Sequence, residues 1–245
     1  MMKEKCFNRF TQGLRDGIPI GLGYLSVSFA FGITVVTAGL SALSAIGISM
    51  TNLTSAGQVA GLSVIAAGGT LAEMALTQLV INLRYALMSV SLSQRMDARV
   101  GFWRRLLISF FITDEIFAVA SDRSISSGRD IEEKYMYGLA TAPYIGWALG
   151  TALGALSGDI LPLSVRNALG IAIYGMFIAI IVPPAKKNRG VLVAVIIASL
   201  LSCVMNFVPQ IASLFAAAPG FVIIICAVAA ALVCAALFPQ NEEVA

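Results

Sequence analysis

The sequence predicts an all-α fold, a polytopic membrane helix bundle with about 6–8 membrane segments, some of them broken or re-entrant helices. Of its 245 residues, 58% are hydrophobic and 12% are charged, whereas a soluble domain has about 25% charged residues. Several apolar runs approach the roughly 20 residues with which a helix crosses a bilayer. No connecting segment is long enough for a soluble domain, so residues 18–240 are predicted to form one transmembrane domain.

Residues 1–17 are predicted to form a cytoplasmic, amphipathic segment. The positive-inside rule places this end in the cytoplasm, because basic residues precede the first long apolar run: Lys3, Lys5, Arg9 and Arg15. Apolar side chains at helical spacing favour a short helix on the inner leaflet, and a solvated tail is the alternative. The apolar run at 18–40 is longer than the core of about 7–15 residues in a secretory signal peptide, so it predicts an uncleaved anchor helix.

A first span is predicted at 18–39, and the section after it, 41–69, predicts a broken helix. Its apolar stretches, 42–50 and 59–67, are each too short to cross the membrane, and the polar residues 51–58 separate them. Non-helical backbone at membrane depth is tolerated only where it is buried in protein or lines a cavity. Transporters use such breaks to point helix ends at a substrate. An ordinary extracellular loop is the alternative.

The rest of the chain contains further predicted spans and one apolar segment with two possible courses. The spans are predicted at 70–92, 135–157, 167–184, 190–208 and 219–238. If 106–121 crosses the membrane fully, the basic cluster at 186–189 falls outside the cell, against the positive-inside rule. If 41–69 and 106–121 are both re-entrant, six spans remain and every dense basic cluster is cytoplasmic. The second arrangement is favoured, and a count of seven stays open.

Glycines recur every four residues in the predicted span 135–157, at Gly146, Gly150, Gly154 and Gly158. Such a stripe lacks side chains, and membrane helices use small residues to bring their backbones into contact. We therefore predict that these glycines pack helices together, either within this bundle or against another chain.

Charged and amide side chains interrupt two of the apolar runs. Asn82 and Arg84 lie in one run, and Asp114 and Glu115 lie in another. A charge near the bilayer centre costs about 2.5–3.5 kcal/mol on insertion scales, so it persists mainly beside a partner or a wet cavity. These residues therefore predict a polar site inside the membrane, of the kind that binds a substrate or carries protons.

Three interpretations apply to Arg84. Its guanidinium holds a substrate carboxylate, forms a structural ion pair with one of the two acids, or extends to the interface. Asp114 and Glu115 point about 100° apart on a helix, so they cannot both face one cavity squarely. One is expected to line the pathway, where it exchanges a proton or binds a substrate ammonium group. The other is expected to pair with Arg104 or Arg105.

Other polar residues extend the predicted site. Gln58 and Asn52 belong to the helix break, where their amides can bind the polar ends of a zwitterion. Asn82 is expected to orient a neighbouring helix. Glu73 opens the third apolar run, and it is either a solvated charge at the interface or a second proton site.

The sequence excludes several kinds of chemistry. It has no histidine, so an imidazole relay, a His-ligated metal and a Ser-His-Asp triad are impossible, and any proton coupling must use carboxylates. The four cysteines, Cys6, Cys203, Cys226 and Cys234, match no metal-binding spacing. There is no P-loop motif, and the basic loops lack the interleaved aromatics of nucleic-acid binding. We predict that the protein is not an enzyme and binds no metal or cofactor.

A series of motifs, in their order and spacing, resembles the AzlC family of bacterial inner-membrane proteins. They are Pro19-Ile20-Gly21-Leu22-Gly23-Tyr24, Phe31-Gly32, Thr54-Ser55-Ala56-Gly57-Gln58, Asn82-Leu83-Arg84, Thr113-Asp114-Glu115, and Trp147 with Gly150-Thr151 and Gly154. The resemblance extends over nearly the whole chain. Two positions differ, because the family often has Ala-Gly in place of Thr54-Ser55 and His in place of Tyr85.

The resemblance implies a multi-pass protein of the inner membrane, the large subunit of a two-component exporter of branched-chain amino acids. The implied substrates are valine, leucine, isoleucine and close analogues such as methionine, and the implied partner is an AzlD-like small membrane subunit. We expect a secondary transporter driven by the proton gradient. The alternative is an assembly subunit whose intramembrane charges pair with another chain that forms the pathway.

Overall fold

The computed structural model describes residues 2–157, 162, 164, 175, 178, 181–215 and 219–238, and these residues are almost entirely helical. The helices are α1 (Met2–Thr37), α2 (Ala42–Thr51), α3 (Ser55–Ala66), α4 (Leu71–Gln94), α5 (Phe102–Phe110), α6 (Asp114–Ser127), α7 (Glu133–Ser157), α8 (described over 181–187), α9 (Arg189–Phe207), α10 (Pro209–Phe215) and α11 (Pro219–Leu237). Within the described ranges, five helices are long and apolar enough to cross a membrane: α1, α4, α7, α9 and α11. The predicted all-α, polytopic membrane fold is confirmed. The predicted span at 167–184 lies mostly outside the described residues.

Helix α1 joins two segments that the sequence predicts separately. The surface helix expected at 3–16 and the span expected at 18–39 form one continuous helix, and Pro19 lies inside it. The position of residues 1–17 on the inner leaflet stays a prediction. The backbone of α1 contacts α7 from Phe10 onward, since an added Cβ on Gly138 would overlap the carbonyl oxygen of Phe10.

The chain packs into two compact units. The first contains residues 1–58 and 82–172, and the second contains residues 59–81 and 173–245. Helices α3 and α4 each contribute residues to both units.

Helices α1 and α7 run parallel through the first unit with their backbones in contact. Gly146 lies against Gly21, and further along both helices Gly154 lies against Phe29. An added Cβ on Gly146 would overlap the carbonyl oxygen of Gly21, so this crossing needs a residue without a side chain. The described members of the glycine stripe all meet α1 within this chain: Gly146, Gly150 and Gly154. Gly158 lies outside the described residues.

The end of the first unit at which α1 and α7 begin also contains the end of α4. The backbone of Ile131, just before α7, donates to the carbonyl oxygen of Arg95 at 2.8 Å and accepts from the N–H of Asp97 at 3.1 Å. Arginines collect here, and we call this region the basic end: Arg9, Arg95, Arg99, Arg104, Arg105, Arg123 and Arg129.

Helix α5 runs from the basic end toward the middle of the first unit. At its start, Arg104 forms an ion pair with Glu133 at 2.9 Å. Beyond its last turn, the ring of Phe111 packs edge-to-face on Tyr144, with centroids 5.4 Å apart. Tyr144 lies about three turns beyond Glu133 on α7, so α5 ends deep between the helices.

Helix α6 returns to the basic end. Its first residues lie beside Tyr24 in the middle of α1, where the Tyr24 hydroxyl hydrogen-bonds Thr113 at 2.7 Å. Near its other end, Arg123 donates to Gln12 at 2.8 Å, close to the start of α1. Helices α5 and α6 therefore form a hairpin with its tip at 111–113, which is the shape that the favoured re-entrant arrangement requires.

Helix α2 approaches the same depth from the opposite end of α7. The hydroxyl groups of Ser49 and Thr151 lie 2.5 Å apart, and the Tyr144 hydroxyl donates to the carbonyl oxygen of Met50 at 3.1 Å. The later residue of α2, Met50, contacts the earlier residue of α7, Tyr144, so the two helices are antiparallel. The chain then leaves the helix at residues 52–54 and re-enters one at α3, which is a helix break and not an ordinary loop.

Candidate functional site

The tips of α2 and of the α5–α6 hairpin meet beside Tyr24 and Trp147 in the first unit. Both aromatic side chains are buried, and their rings make an edge-to-face contact with centroids 5.0 Å apart. The Tyr24 hydroxyl lies 2.7 Å from Oγ1 of Thr113 and also hydrogen-bonds the carboxylate of Glu115. Tyr24 therefore fixes the hairpin tip to the middle of α1.

Gln58 and Asn52 close the other tip. The buried side chain of Gln58 accepts a hydrogen bond from Nε1 of Trp147 at 3.2 Å and donates to the carbonyl oxygen of Asn52. The Thr54 hydroxyl donates to Oδ1 of Asn52 at 3.0 Å. The break contains only residues 52–54, and Gln58 belongs to the first turn of α3. Its hydrogen bonds satisfy polar backbone at a depth where lipid offers no partner.

The first turn of α6 contains both acids of the tip. Thr113 caps the helix, since its Oγ1 accepts the N–H of Ile116 at 3.4 Å, and Asp114 and Glu115 follow directly. Negative charge is favourable at a helix N-terminus because the backbone dipoles present their positive ends there. The two side chains turn to different helices, with Glu115 toward α1 and Asp114 toward α4.

Arg84 forms an ion pair with Asp114 across the tip. Nη1 of Arg84 lies 2.9 Å from Oδ2 of Asp114, and the two side chains remain 39% and 32% exposed. Nη2 of Arg84 donates to the hydroxyl of Tyr85 at 3.0 Å, and the guanidinium stacks over the Tyr85 ring at 4.7 Å. The ion pair is therefore the interpretation of Arg84 that the structure shows, and it leaves part of both charges available to another group.

The predicted pairing of one tip carboxylate with Arg104 or Arg105 is wrong. Arg104 pairs with Glu133, and Arg105 donates to the carbonyl oxygens of Ser93 and Val100 at 2.5 and 2.9 Å. The physical reason is the direction of α5, which places both arginines at the basic end and its own C-terminus at the tip.

Apolar side chains surround the polar groups of the two tips: Ile20, Val27, Leu53, Phe111 and Tyr144. The two tips therefore place two helix N-termini, two carboxylates and an arginine beside apolar side chains.

A cavity of about 370 Å³ opens at the basic end of the first unit. Its lining includes Arg9, Arg123, Arg129, Glu132 and Tyr135. The Tyr135 hydroxyl donates to Asp16 at 2.8 Å, and Arg123 stacks on the Tyr135 ring at 4.2 Å. Along α1, Asp16 and Tyr24 are about 12 Å apart, and no tip residue lines the cavity.

Asn82 and Glu73 both belong to α4, in different units. Asn82 is half-buried in the first unit. Glu73 belongs to the second unit and is 1% exposed, and its Oε1 accepts the N–H of Gly220 at 2.6 Å. The interpretation of Glu73 as a solvated interfacial charge is therefore wrong, because α11 covers the end of α4 that hydropathy alone places at the interface.

Sequence reasoning missed the two aromatic residues at the centre of the site. Tyr24 and Trp147 each carry a single hydrogen-bond donor within an apolar, glycine-rich helix. Buried Tyr and Trp residues usually need a partner for that donor, which is the signal that could have found them. Among the described residues, no group of three or more His, Cys, Asp or Glu side chains is placed to hold a metal ion.

Comparison with known proteins gives one family. A family model described as AzlC protein matches residues 19–161. The inner membrane protein YgaZ of Escherichia coli is 30% identical over 201 residues, which cover 81% of this chain and 82% of the relative. An uncharacterized membrane protein of Archaeoglobus fulgidus is 31% identical, covering 74% and 78%. One from Helicobacter pylori is 22% identical, covering 73% and 78%. No solved structure matches the chain.

Proposed function

The chain belongs to the AzlC family of membrane proteins, and from this premise we propose that it is a secondary transporter that exports valine, leucine, isoleucine and methionine. The observation that carries the proposal is the meeting of two helix breaks, from opposite ends of α7, beside Tyr24 and Trp147. Discontinuous helices that place their ends at one depth are a common way to build a substrate site in a transporter.

A branched-chain amino acid has three parts, and the site offers a partner for each. The N-terminus of α3 suits the substrate carboxylate, because the first amides of a helix lack partners within it. Glu115 and Asp114 suit the ammonium group. Leu53 and Phe111 suit the aliphatic side chain. One methylene changes binding in an apolar pocket by only about 1–3 kcal/mol, so a range of related substrates is expected.

The basic end supports a cytoplasmic position for the start of α1. Positively charged residues accumulate on the cytoplasmic side of membrane proteins, and arginines of α1, α5 and α6 all collect here. The cavity beside Tyr135 then opens toward the cytoplasm and leads an amino acid toward the tips. We place the protein in the bacterial inner membrane with a cytoplasmic N-terminus.

The proton gradient is the proposed energy source, and carboxyl groups are the proposed proton carriers. The sequence has no histidine, so no imidazole can take this role. An AzlD-like small membrane subunit is the proposed partner. Leu83 and Leu87, one turn apart on α4, are exposed apolar side chains on which a further membrane helix or lipid can pack.

Amino acid efflux from loaded cells tests the proposal. Cells that lack their own branched-chain amino acid exporters take up leucine- or valine-containing dipeptides and hydrolyse them inside. We compare release of the free amino acids with this chain and its small partner, with the partner alone, and with neither. The proposal expects faster release only when both are present. Unchanged release of valine, leucine, isoleucine and methionine would overturn it.

A second function has one observation in its favour. Arg84 and Asp114 remain 39% and 32% exposed although they are paired, so these charges can also face another chain. In that case the protein is an assembly subunit, and its partner forms the pathway. Exchanging the charges of Arg84 and Asp114 separates the two functions.

A further inference from the structure

Two polar side chains are buried inside the second unit. Glu73 and Thr77 are one turn apart on α4, and they are 1% and 0% exposed. Glu73 is the only charged residue in the segments 59–81 and 219–237. Its Oε1 accepts the backbone N–H of Gly220 at 2.6 Å, in the first turn of α11.

The side chains of Glu73 and Thr77 both approach Gly220. An added Cβ at Gly220 would overlap Oγ1 of Thr77 and would lie 2.9 Å from Oε1 of Glu73. Both oxygens therefore face the N-terminus of α11. Oγ1 of Thr77 is buried and has no hydrogen-bond partner within the described part of the chain. Buried hydroxyl groups are usually satisfied, so this oxygen is available to a further hydrogen-bond donor.

The environment of Glu73 holds no counterion among the described residues. A carboxylate inside the membrane is costly without one, and the N-terminus of α11 offsets only part of that cost. Neither α11 nor residues 59–66 of α3 contain a charged side chain, and the titratable groups of α11 are Cys226 and Cys234. Cys226 faces Met205 of α9 at 3.8 Å. Along α4, the next charged residue is Arg84, about three turns further on.

A neutral carboxyl group removes that cost and explains the lone hydroxyl. When Glu73 is protonated, its O–H needs an acceptor, and Oγ1 of Thr77 is an unused acceptor on the same helix face. When Glu73 is ionised, Oε1 keeps the N–H of Gly220. We propose that Glu73 is the residue that carries the coupling proton, with Thr77 as the positioning residue for its protonated state. This inference rests on the proposed transport function.

The proton balance of a transport cycle follows directly. One O–H bond forms at the Glu73 carboxylate with a proton taken from water outside the cell. The same bond breaks when the proton passes to water inside, while one amino acid leaves in the opposite direction. In the described conformation Glu73 is closed to water, so exchange of the proton requires the helices around it to part.

Flux measurements in proteoliposomes separate proton coupling from substrate binding. We reconstitute this chain with its small partner and measure two activities: leucine movement driven by a pH gradient, and exchange of labelled leucine at equal pH. Glu73→Gln mimics the protonated carboxyl. We expect it to lose the movement driven by pH and to keep exchange. Retained pH-driven movement would overturn the inference. Loss of both activities would also overturn it, because it would assign Glu73 a structural role.

Thr77 supplies a matched pair of variants. Thr77→Val removes the hydroxyl at nearly constant shape, and Thr77→Ser keeps it. We expect Thr77→Val to lose pH-driven movement selectively and Thr77→Ser to retain it, whereas equal behaviour of the two variants would count against the inference. Movement driven by a sodium gradient and insensitive to pH would also overturn it. Absence of any leucine exchange by the unmodified complex would instead overturn the proposed function itself.

Discussion

The Tyr24 hydroxyl lies 2.7 Å from Oγ1 of Thr113, 89 positions along the chain. This contact joins the middle of a continuous membrane helix to the tip of a re-entrant hairpin. The same hydroxyl bonds the carboxylate of Glu115. One phenol group therefore sets the depth at which an acidic helix N-terminus enters the first unit.

Replacing Tyr24 with Phe should loosen this tip. The change removes the hydroxyl that hydrogen-bonds the half-buried carboxylate of Glu115 and the buried hydroxyl of Thr113, which costs about 1–3 kcal/mol. We expect a lower melting temperature in detergent and reduced leucine efflux. Tyr137→Phe is the matched control, because the Tyr137 hydroxyl makes no hydrogen bond within the described residues. Equal melting temperatures for the two variants would contradict the assigned role of Tyr24.

Adding a methyl group at Gly146 should push α1 and α7 apart. In Gly146→Ala the new Cβ overlaps the carbonyl oxygen of Gly21, which is backbone and cannot turn away. Overpacking of this kind costs about 1–3 kcal/mol. We expect reduced yield and a lower melting temperature. Gly23→Ala is the control, since nothing lies within 4 Å of a Cβ there, and a helical Ala is slightly stabilising relative to Gly. If the two substitutions behave alike, the backbone contact does not hold the helices together.

Exchanging the charges of Arg84 and Asp114 should restore folding but not transport. Each single change leaves one charge without its partner, and residues in such contact couple by about 0.5–3 kcal/mol. The exchanged pair regains attraction, yet it puts a cation at the N-terminus of α6, where a carboxylate is favourable. Melting temperature and leucine efflux are measured together. Full recovery of efflux in the exchanged variant would support the assembly role instead.

A surface ion pair serves as the control for that exchange. Asp97 and Arg99 lie at the basic end, with an N–O distance of 2.7 Å. Hydrogen bonds from Arg99 lower the pKa of Asp97 from 3.8 to about 2, so the pair stays charged at any pH used for transport. Exchanging these two residues should change neither melting temperature nor efflux.

Labelling of single cysteines should place the loops before α5 and after α6 on one side of the membrane. In a chain without its four native cysteines, Arg99→Cys and Ser126→Cys introduce exposed thiols at the basic end. A membrane-impermeant maleimide should reach both from the cytoplasm, and it should reach Ser41→Cys, beyond the end of α1, from outside. Opposite accessibility of the thiols at positions 99 and 126 would contradict the re-entrant hairpin.

Most membrane helices could be predicted from hydropathy alone. The expected spans at 70–92, 135–157 and 190–208 correspond closely to α4, α7 and α9. The break before α3 was also predictable, because two short apolar stretches flank a polar one. The continuity of α1 through its N-terminal residues could not be predicted. Gly17 and Pro19 are locally weak helix residues, and only packing on α7 keeps the helix continuous.

The candidate site was predictable in its residue types and not in its pairings. Charges in apolar runs identified Arg84 and Asp114, but the choice of Arg104 or Arg105 as a partner relied on closeness in sequence. The direction of α5 decided against it. The sequence left two interpretations of Glu73 open, because the helix that covers it, α11, lies about 150 residues further along the chain.

The sequence by itself determined that this chain crosses the membrane repeatedly, that polar groups lie at membrane depth, and that one helix presents a glycine stripe. These properties follow from the free energy of placing each residue in lipid, which depends on the local segment. Only the tertiary structure decided that α1 and α7 run parallel, that α5 and α6 turn back, and that Tyr24 and Trp147 join the two tips. Those outcomes depend on contacts between segments far apart in the chain, such as Trp147 with Gln58 and Gly220 with Glu73, and no local pattern encodes them.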